Sequence, residues 1–380
     1  MPSYSYSECV SDSLRTWRDD SEESEVQFRE SSGEYRRSIV LKIGFIIVCV
    51  VVAFLVIGVT LTIGDYDIGF LETYQILWDH ITGNVPTDPS DPMYTKDSVI
   101  WDLRLPRILT GVLAGAALAV AGATMQTTMK NPLADPYTTG ISSGASFGAT
   151  IAICMGVSFA GGGYVVVVNA FIFSLIPTAL IVIVSKMRGA SPTTMVMAGI
   201  AVMYIFNAFT TVIKLFADPE SLSSLYQWSV GSINGTRWDD VLVMVPFVIV
   251  GTVVIQLLSR QLNVLISGDD SAKTLGVDAD RLRTVSILVI ALMTAAVVSF
   301  TGLIGFVGLV CPHVVRMFIG SDNRYLIPAS AAFGIALLLF ADLVGRVLIA
   351  PTVLPVGVIT AFIGGPLFLY LIVKQRRSAW

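Results

Sequence analysis

A run of fifty residues from Pro136 to Ser185 contains no Asp, Glu, Lys or Arg, and this feature limits the possible folds more than any other. A helix that crosses a bilayer needs about 20 mostly apolar residues, so the run is too long for one crossing. Three glycines, Gly161–Gly163, lie near its middle and favour a turn. The sequence therefore predicts two membrane-spanning helices, one on each side of this turn.

The composition of the whole chain agrees with a membrane protein. Hydrophobic residues make up 54% of the 380 residues and charged residues only 14%, whereas soluble proteins carry about 25% charged residues. This balance excludes an ordinary soluble enzyme, a disordered scaffold and a nucleic-acid binder. The chain is expected to be an all-α, polytopic membrane protein.

About ten transmembrane helices follow from the apolar runs. The run Thr284–Val315 is long for one span and short for two. Basic residues flank both of its ends. Because cytoplasmic loops are rich in Lys and Arg, both ends are expected in the cytoplasm, so the run must cross the membrane twice. Gly302, Gly305 and Gly308 provide small residues for a tight reversal. The other predicted spans are Ile43–Gly64, Ile108–Met129, Gly189–Ile213, Val241–Ser259, Tyr325–Gly345 and Val347–Val373.

Charge asymmetry orients the chain in the membrane. Basic residues follow alternate spans, whereas the opposite loops are acidic, with eight acids in residues 65–102 and four in residues 218–240. Since cytoplasmic loops are rich in Lys and Arg, both termini are predicted to lie in the cytoplasm of a multi-pass cell-membrane protein. Residues 1–37 are rich in Ser, Glu and Asp and are predicted to form a disordered acidic cytoplasmic tail. Residues 38–380 are predicted to form the ten-helix transmembrane domain.

The chain lacks the motifs of several chemistries. No GxxxxGK[ST] phosphate loop occurs, so ATP cannot bind in the P-loop manner. There is no HExxH motif, and the two histidines, His80 and His313, are too few for a histidine-based metal cluster. The sequence predicts no catalytic residue, no metal site and no cofactor held by this chain. A transition metal handled here would arrive inside another molecule.

Two features leave alternatives open. Asp342 is the only acid within a predicted span, and Arg346 follows it one helical turn later, so the two share one helix face. They could form a local ion pair, serve a proton relay, or leave Arg346 to an outside partner. Residues 140–144 match GxSxG, which with His313 would suit an intramembrane protease, although Gly and Ser at this spacing more often let helices pack closely.

Two stretches, from Arg104 to Gly148 and from Gly302 to Phe368, carry specific motifs in a fixed order. The motifs are Arg104-Leu-Pro-Arg107, Asn131-Pro-Leu-Ala-Asp-Pro136, Gly140-Ile-Ser-Ser-Gly-Ala145, Gly305-Phe-Val-Gly-Leu309, Pro312-His313, Arg316, Gly320-Ser-Asp322, Ala341-Asp342, Arg346, Leu354-Pro-Val-Gly357 and Gly364-Gly-Pro366. The ordered set resembles the permease family of binding-protein-dependent ABC importers for iron-siderophore, haem and cobalamin, the type II importers. The resemblance covers roughly Ile43 to Lys374.

This resemblance implies a translocation subunit that is not itself an enzyme. It implies a homodimer with the pathway at the subunit interface, two separate ATPase subunits on the cytoplasmic face that bind ATP and Mg, and a substrate-binding protein outside. By the same resemblance, Arg104 and Arg346 pair with carboxylates of the binding protein. Arginine suits such a contact because its planar guanidinium binds a carboxylate through two hydrogen bonds.

The resemblance also implies two sites on the cytoplasmic face. The loop from Gln261 to Arg283 would couple the permease to the ATPase through Ala272, Leu275, Gly276 and Val277. The cytoplasmic gate would be formed by Asn131, Leu133, Ser191 and Thr193. Independently, the fifth span carries side chains that suit a pathway lining, although such a stripe more often packs in a core: Met195, Met203, Tyr204 and Asn207.

The leading hypothesis is the permease subunit of an ATP-driven importer of a ferric siderophore, with cobalamin and haem as alternative substrates. From other classes, an ion-coupled secondary carrier and the intramembrane protease stay open. A secondary carrier would transport its substrate without an ATPase partner.

Overall fold

The computed structural model describes residues 37–374, apart from residues 65, 67, 87, 89, 90 and 160. Apart from Arg37, the predicted tail of residues 1–37 lies outside the described residues, and its disorder stays a prediction. Within the described part of the chain the regular structure is helical and contains no strand.

The membrane-spanning helices confirm the predicted all-α architecture. Seven helices of the described chain are long and apolar enough to cross a membrane, and three shorter helices are apolar, which together give about ten spans. The long helices are α1 (Arg37–Thr62), α4 (Leu105–Thr128), α6 (Val165–Arg188), α7 (Pro192–Phe216), α9 (Trp238–Ile266), α11 (Ala279–Thr301) and α13 (Asn323–Val347). The shorter ones are α5 (Ile141–Met155), α12 (Val307–Ile319) and α14 (Val356–Lys374).

Short helices occupy the loops between spans. They are α2 (Phe70–Thr82), α3 (Pro92–Ser98), which continues into α4 through a π-helical turn (Val99–Arg104), α8 (Pro219–Val230) and α10 (Asp269–Thr274). Helices α2, α3 and α8 were not among the predicted elements. An Asp-Pro pair nevertheless begins two of them: Asp91 accepts a hydrogen bond from the Met93 N–H, and Asp218 from the Ser221 N–H. Asp at the N-cap with Pro in the first turn is a helix-start signal.

The charge-free run from Pro136 to Ser185 divides near the predicted glycines. The helix α5 ends at Met155, and α6 follows a 3₁₀ turn at Gly162–Tyr164. The first half is shorter than expected, because Pro136–Thr139 form another 3₁₀ turn before α5 begins. At about 1.5 Å per residue, the 15 residues of α5 rise only about 22 Å, less than the ~30 Å of a hydrocarbon core.

The last span begins later than the sequence analysis placed it. The predicted span Val347–Val373 starts in a loop, since α13 ends at Val347 and α14 begins at Val356. Pro351 and Pro355 lie in this loop, and proline disfavours a helix because it lacks the N–H donor. A charge-free stretch alone does not separate such a loop from the helices beside it.

The core of the bundle is built around α4, the most buried of the long spans, which packs against α9, α11, α12 and α13. Small residues make this possible. A Cβ atom at Gly122 would overlap the carbonyl group of Gly308 in α12, and one at Gly115 would lie 2.6 Å from the Gly334 carbonyl oxygen in α13. Membrane helices approach most closely where such small residues face each other.

Candidate functional site

A cavity of about 900 Å³ opens at the membrane face that the charge pattern places outside. It lies between the outer ends of α1, α4, α9 and α13. Three of its lining residues are Arg104, Arg107 and Arg346, so the structure brings the two predicted docking arginines into one basin. We call this cavity the outer basin.

Arg104 lies at the wall of the outer basin with only 6% of its surface exposed. Its guanidinium donates to the carbonyl oxygens of Leu61 (2.7 Å), Thr62 (2.8 Å) and Tyr66 (2.6 Å). The last carbonyls of a helix have no partner within the helix, and a cation at this end also meets the negative end of the helix dipole. Arg104 therefore fixes the outer end of α1.

Asp342 is held between two arginines and is 1% exposed. Arg107 donates to Asp342 Oδ1 from Nη2 (2.7 Å) and Nε (3.2 Å). Arg346 Nη2 lies 2.6 Å from Asp342 Oδ2 as an ion contact without hydrogen-bond alignment, and its Nη1 donates to the Thr60 carbonyl oxygen (3.2 Å). The local ion pair of Asp342 and Arg346 is confirmed, and Arg107 is a further partner.

The innermost part of the outer basin carries a net positive charge. Three guanidinium groups stand against the single carboxylate of Asp342, which leaves two positive charges in this group. The rim adds Arg237, Asp102 and Asp239. Such an arrangement can attract carboxylates that approach from the aqueous side.

The predicted coupling loop contains one short helix, α10, and a surface for a partner. Ala272 is buried beneath it, Val277 is half-buried, and Leu275 is 67% exposed. Gly276 has φ +78° and ends the turn after α10, where its N–H donates to the Lys273 carbonyl. Leu275 therefore projects from this loop as an exposed apolar side chain.

The four predicted gate residues lie at the same face, in the loop after α4 and at the end of the α6–α7 loop, with Thr193 in the first turn of α7. Asn131 accepts a hydrogen bond from the Leu133 N–H (2.9 Å), which fixes the loop after α4 as an Asx turn. Ser191 caps α7 by accepting from the Thr194 N–H (3.2 Å). Asn131, Leu133, Ser191 and Thr193 are all exposed, so their side chains are accessible at this face.

The predicted lining of the fifth span divides in the structure. Met195 is 1% exposed and belongs to the core of its own subunit. Met203 is half-buried, whereas Tyr204, 68% exposed, and Asn207 face away from the rest of the chain. A pathway role is therefore open to Met203, Tyr204 and Asn207, and it stays a prediction.

An ionic network joins the coupling loop to the loop after α4. Asp269 in the first turn of α10 accepts from Arg283 Nη1 (2.9 Å), Arg283 Nη2 (2.6 Å) and Lys130 Nζ (2.9 Å). The Arg283 guanidinium, and then the Lys130 ammonium, hold the pKa of Asp269 well below its usual range. Asp269 is therefore ionised at neutral pH.

Arg107, Lys130 and Asp269 were not among the predicted site residues, and Arg283 was named only as the end of the coupling loop. Arg107 could have been found from its spacing, since it follows Arg104 by three residues and lies on a neighbouring helix face. The partners of Arg283 come from three separate segments, and no local pattern indicates them.

Comparison with known proteins identifies the chain. The FecCD transport family matches residues 46–374. The chain belongs to the FecCD transport family. The hemin transport system permease protein of Yersinia pestis is 37% identical over 342 residues, 89% of this chain and 97% of that protein. An Fe(3+)-citrate import system permease protein of Bacillus subtilis is 35% identical over 343 residues, 90% of this chain and 97% of that protein.

A solved structure confirms the FecCD fold. An inward-facing metal-chelate type ABC transporter superposes with a TM-score of 0.75 and 30% identity, covering 87% of this chain and 99% of that one. The chain is thus a multi-pass membrane permease of the metal-chelate ABC importer type, and FecCD permeases are translocation subunits. This replaces the alternatives of a secondary carrier and an intramembrane protease.

Proposed function

We propose that this FecCD permease takes up a ferric siderophore as part of an ATP-driven importer. The observation that supports an iron chelate is the pair of relatives named for hemin and for Fe(3+)-citrate, which match 89% and 90% of this chain. In both of those ligands an organic molecule holds the iron. A ferric siderophore presents iron in the same form.

The side chains of the permease agree with cargo that brings its own ligands. The described residues contain no group of three or more His, Cys, Asp or Glu that could hold a metal ion. Protein sites for bare iron use imidazole and carboxylate groups. Transport of an iron ion enclosed by an organic ligand does not require such a site.

The proposed working form is a homodimer with two ATPase subunits on the cytoplasmic face. A face of α7 supports a partner subunit, because Tyr204 and Asn207 point away from their own chain. Leu275 and the exposed end of α10 form a surface on the coupling loop that supports contact with an ATPase. ATP and Mg would be bound by that ATPase.

The outer basin is the proposed docking point of a substrate-binding protein. Its positive depth suits carboxylates of that protein, and Arg346 and Arg104 supply guanidinium groups there. In this proposal the termini and both gate loops are cytoplasmic, so substrate enters at the basin's side of the membrane and leaves past Asn131, Leu133, Ser191 and Thr193.

Substrate choice can be tested with the complete importer in sealed proteoliposomes. Uptake of a ferric siderophore, haem and cobalamin would be measured with the ATPase, ATP and the binding protein present, and the iron-free siderophore would be the matched control. We expect concentrative uptake of the ferric siderophore. Uptake of haem or cobalamin in its place would contradict the siderophore assignment while keeping the permease.

A further inference from the structure

Arg283, near the start of α11, joins three segments of the cytoplasmic face. Its side chain is fully buried. Nε donates to the Thr128 carbonyl oxygen (3.1 Å), and Nη1 to the Ala190 carbonyl oxygen (3.4 Å). Nη1 and Nη2 also bind the two carboxylate oxygens of Asp269. One rigid guanidinium thus contacts α4, the α6–α7 loop and α10.

The two backbone contacts of Arg283 lie directly beside the predicted gate residues. Thr128 is the last residue of α4, three positions before Asn131. Ala190 is the residue before Ser191, which caps α7. The two gate loops therefore share Arg283 as an anchor, although 59 residues of the chain lie between Asn131 and Ser191.

The third contact of Arg283 reaches the helix that faces the ATPase. Asp269 lies in the first turn of α10, and the exposed Leu275 follows it by six positions. A guanidinium that binds a carboxylate through two parallel hydrogen bonds fixes its orientation as well as its distance. Lys130, one residue before Asn131, binds the same carboxylate and adds a second link to the α4 loop.

We propose that Arg283 and Asp269 are positioning residues that transmit movement of α10 to both gate loops together. When the ATPase displaces α10, Asp269 moves the Arg283 guanidinium, and the guanidinium moves the ends of α4 and of the α6–α7 loop. This coupling rests on the proposed function, since it needs an ATPase that acts on α10. It assigns to two side chains the link between ATP hydrolysis and gate opening.

The test measures transport and ATP hydrolysis in the same proteoliposomes. The variants are Arg283→Lys, which keeps the charge but loses the two parallel N–H donors, and Asp269→Asn, which removes the negative charge that Arg283 binds. Arg281→Lys and Asp270→Asn, at exposed neighbouring positions, are the matched controls. Either change loosens the bidentate contact that ties α10 to the buried Arg283 guanidinium, so we expect substrate transported per ATP hydrolysed to fall at least about tenfold, with hydrolysis largely retained.

A conservative variant separates positioning from simple stability. Asp269→Glu keeps the carboxylate and should recover most of the transport per ATP that Asp269→Asn loses. The proposal is overturned if Asp269→Asn transports as much substrate per ATP as the unmodified chain. This holds whether both rates stay the same or both fall in proportion. If Arg283→Lys does not assemble with the ATPase, the partly exposed Asp269 decides the question. Failure of the unmodified chain to transport with ATP would instead refute the proposed function.

Discussion

At the scale of the residue, the buried arginines stabilise the fold by donating hydrogen bonds to main-chain carbonyl oxygens as well as to carboxylates. The pair of Asp342 and Arg346 could be predicted, because helix geometry alone brings positions i and i+4 together. The bond from Arg107 to Asp342 spans 235 residues, and it depends on how α4 packs against α13. The carbonyl contacts of Arg104 likewise depend on where α1 ends, which the sequence pattern does not specify.

Arg104→Ala should destabilise the protein as well as any docked complex. It leaves the carbonyls of Leu61, Thr62 and Tyr66 without the donor that they share. Loss of charged hydrogen bonds at buried groups costs roughly 1–3 kcal/mol, so the melting temperature in detergent should fall. Arg237→Ala, at an exposed position of the same basin, is the control. A melting temperature equal to that of the unmodified chain would assign Arg104 to docking alone.

The contribution of Asp269 to stability should depend on pH in one direction. Its pKa is lowered in the folded protein, so its stabilisation is fully present above the ordinary Asp value of about 3.9 and is lost as pH falls through the lower folded value. The melting temperatures of the unmodified chain and of Asp269→Asn should differ equally at pH 8 and pH 6. The difference should shrink below about pH 4. A difference that grew on acidification would contradict this ion pair.

At the scale of the element, small residues decide how closely the helices approach. The glycines of the second and eighth spans could be predicted to favour close packing, but their pairing across α4 and α12 required the fold. Helix ends were predicted less well than helix existence. Pro351 and Pro355 lie in a loop near the start of the run Val347–Val373, which the charge pattern treated as one span. The Asp-Pro pairs that begin α3 and α8 were not used to predict those helices.

Gly122→Ala should weaken the contact between α4 and α12. A methyl group there would overlap the Gly308 carbonyl, and overpacking of this kind costs roughly 1–3 kcal/mol. Gly44→Ala is the matched control, because its Cβ would meet no atom within 4 Å and alanine favours a helix. Thermal unfolding in detergent would compare the two. Equal stability of both variants would contradict the close packing of α4 on α12.

At the scale of the whole molecule, charge distribution and apolar length were sufficient to predict the architecture. About ten spans followed from the runs without charge because the cost of burying charge in lipid is large. Substrate identity did not follow, because an apolar conduit for a chelate needs no metal ligand of its own. The gate, coupling and docking residues came from resemblance, and their positions at the two faces are what the structure adds.

The orientation of the spans predicts which surface positions are accessible from outside. In right-side-out vesicles, a membrane-impermeant thiol reagent should label Glu220→Cys and should not label Arg188→Cys until the membrane is opened. Both positions are exposed and lie just beyond opposite ends of α7, Arg188 at the end of α6 and Glu220 in the first turn of α8. The native cysteines would first be replaced, since Cys154 is only half-buried. Labelling of Arg188→Cys in closed vesicles would contradict cytoplasmic termini.

The most direct test of the central claim is the energy source of transport. The permease, its ATPase and its binding protein would be reconstituted in sealed vesicles, and accumulation of a radio-iron siderophore would be followed with an active or a hydrolysis-dead ATPase. We predict accumulation against a gradient with the active ATPase alone. Equal accumulation with the hydrolysis-dead ATPase would contradict the account of this chain as the permease of an ATP-driven importer.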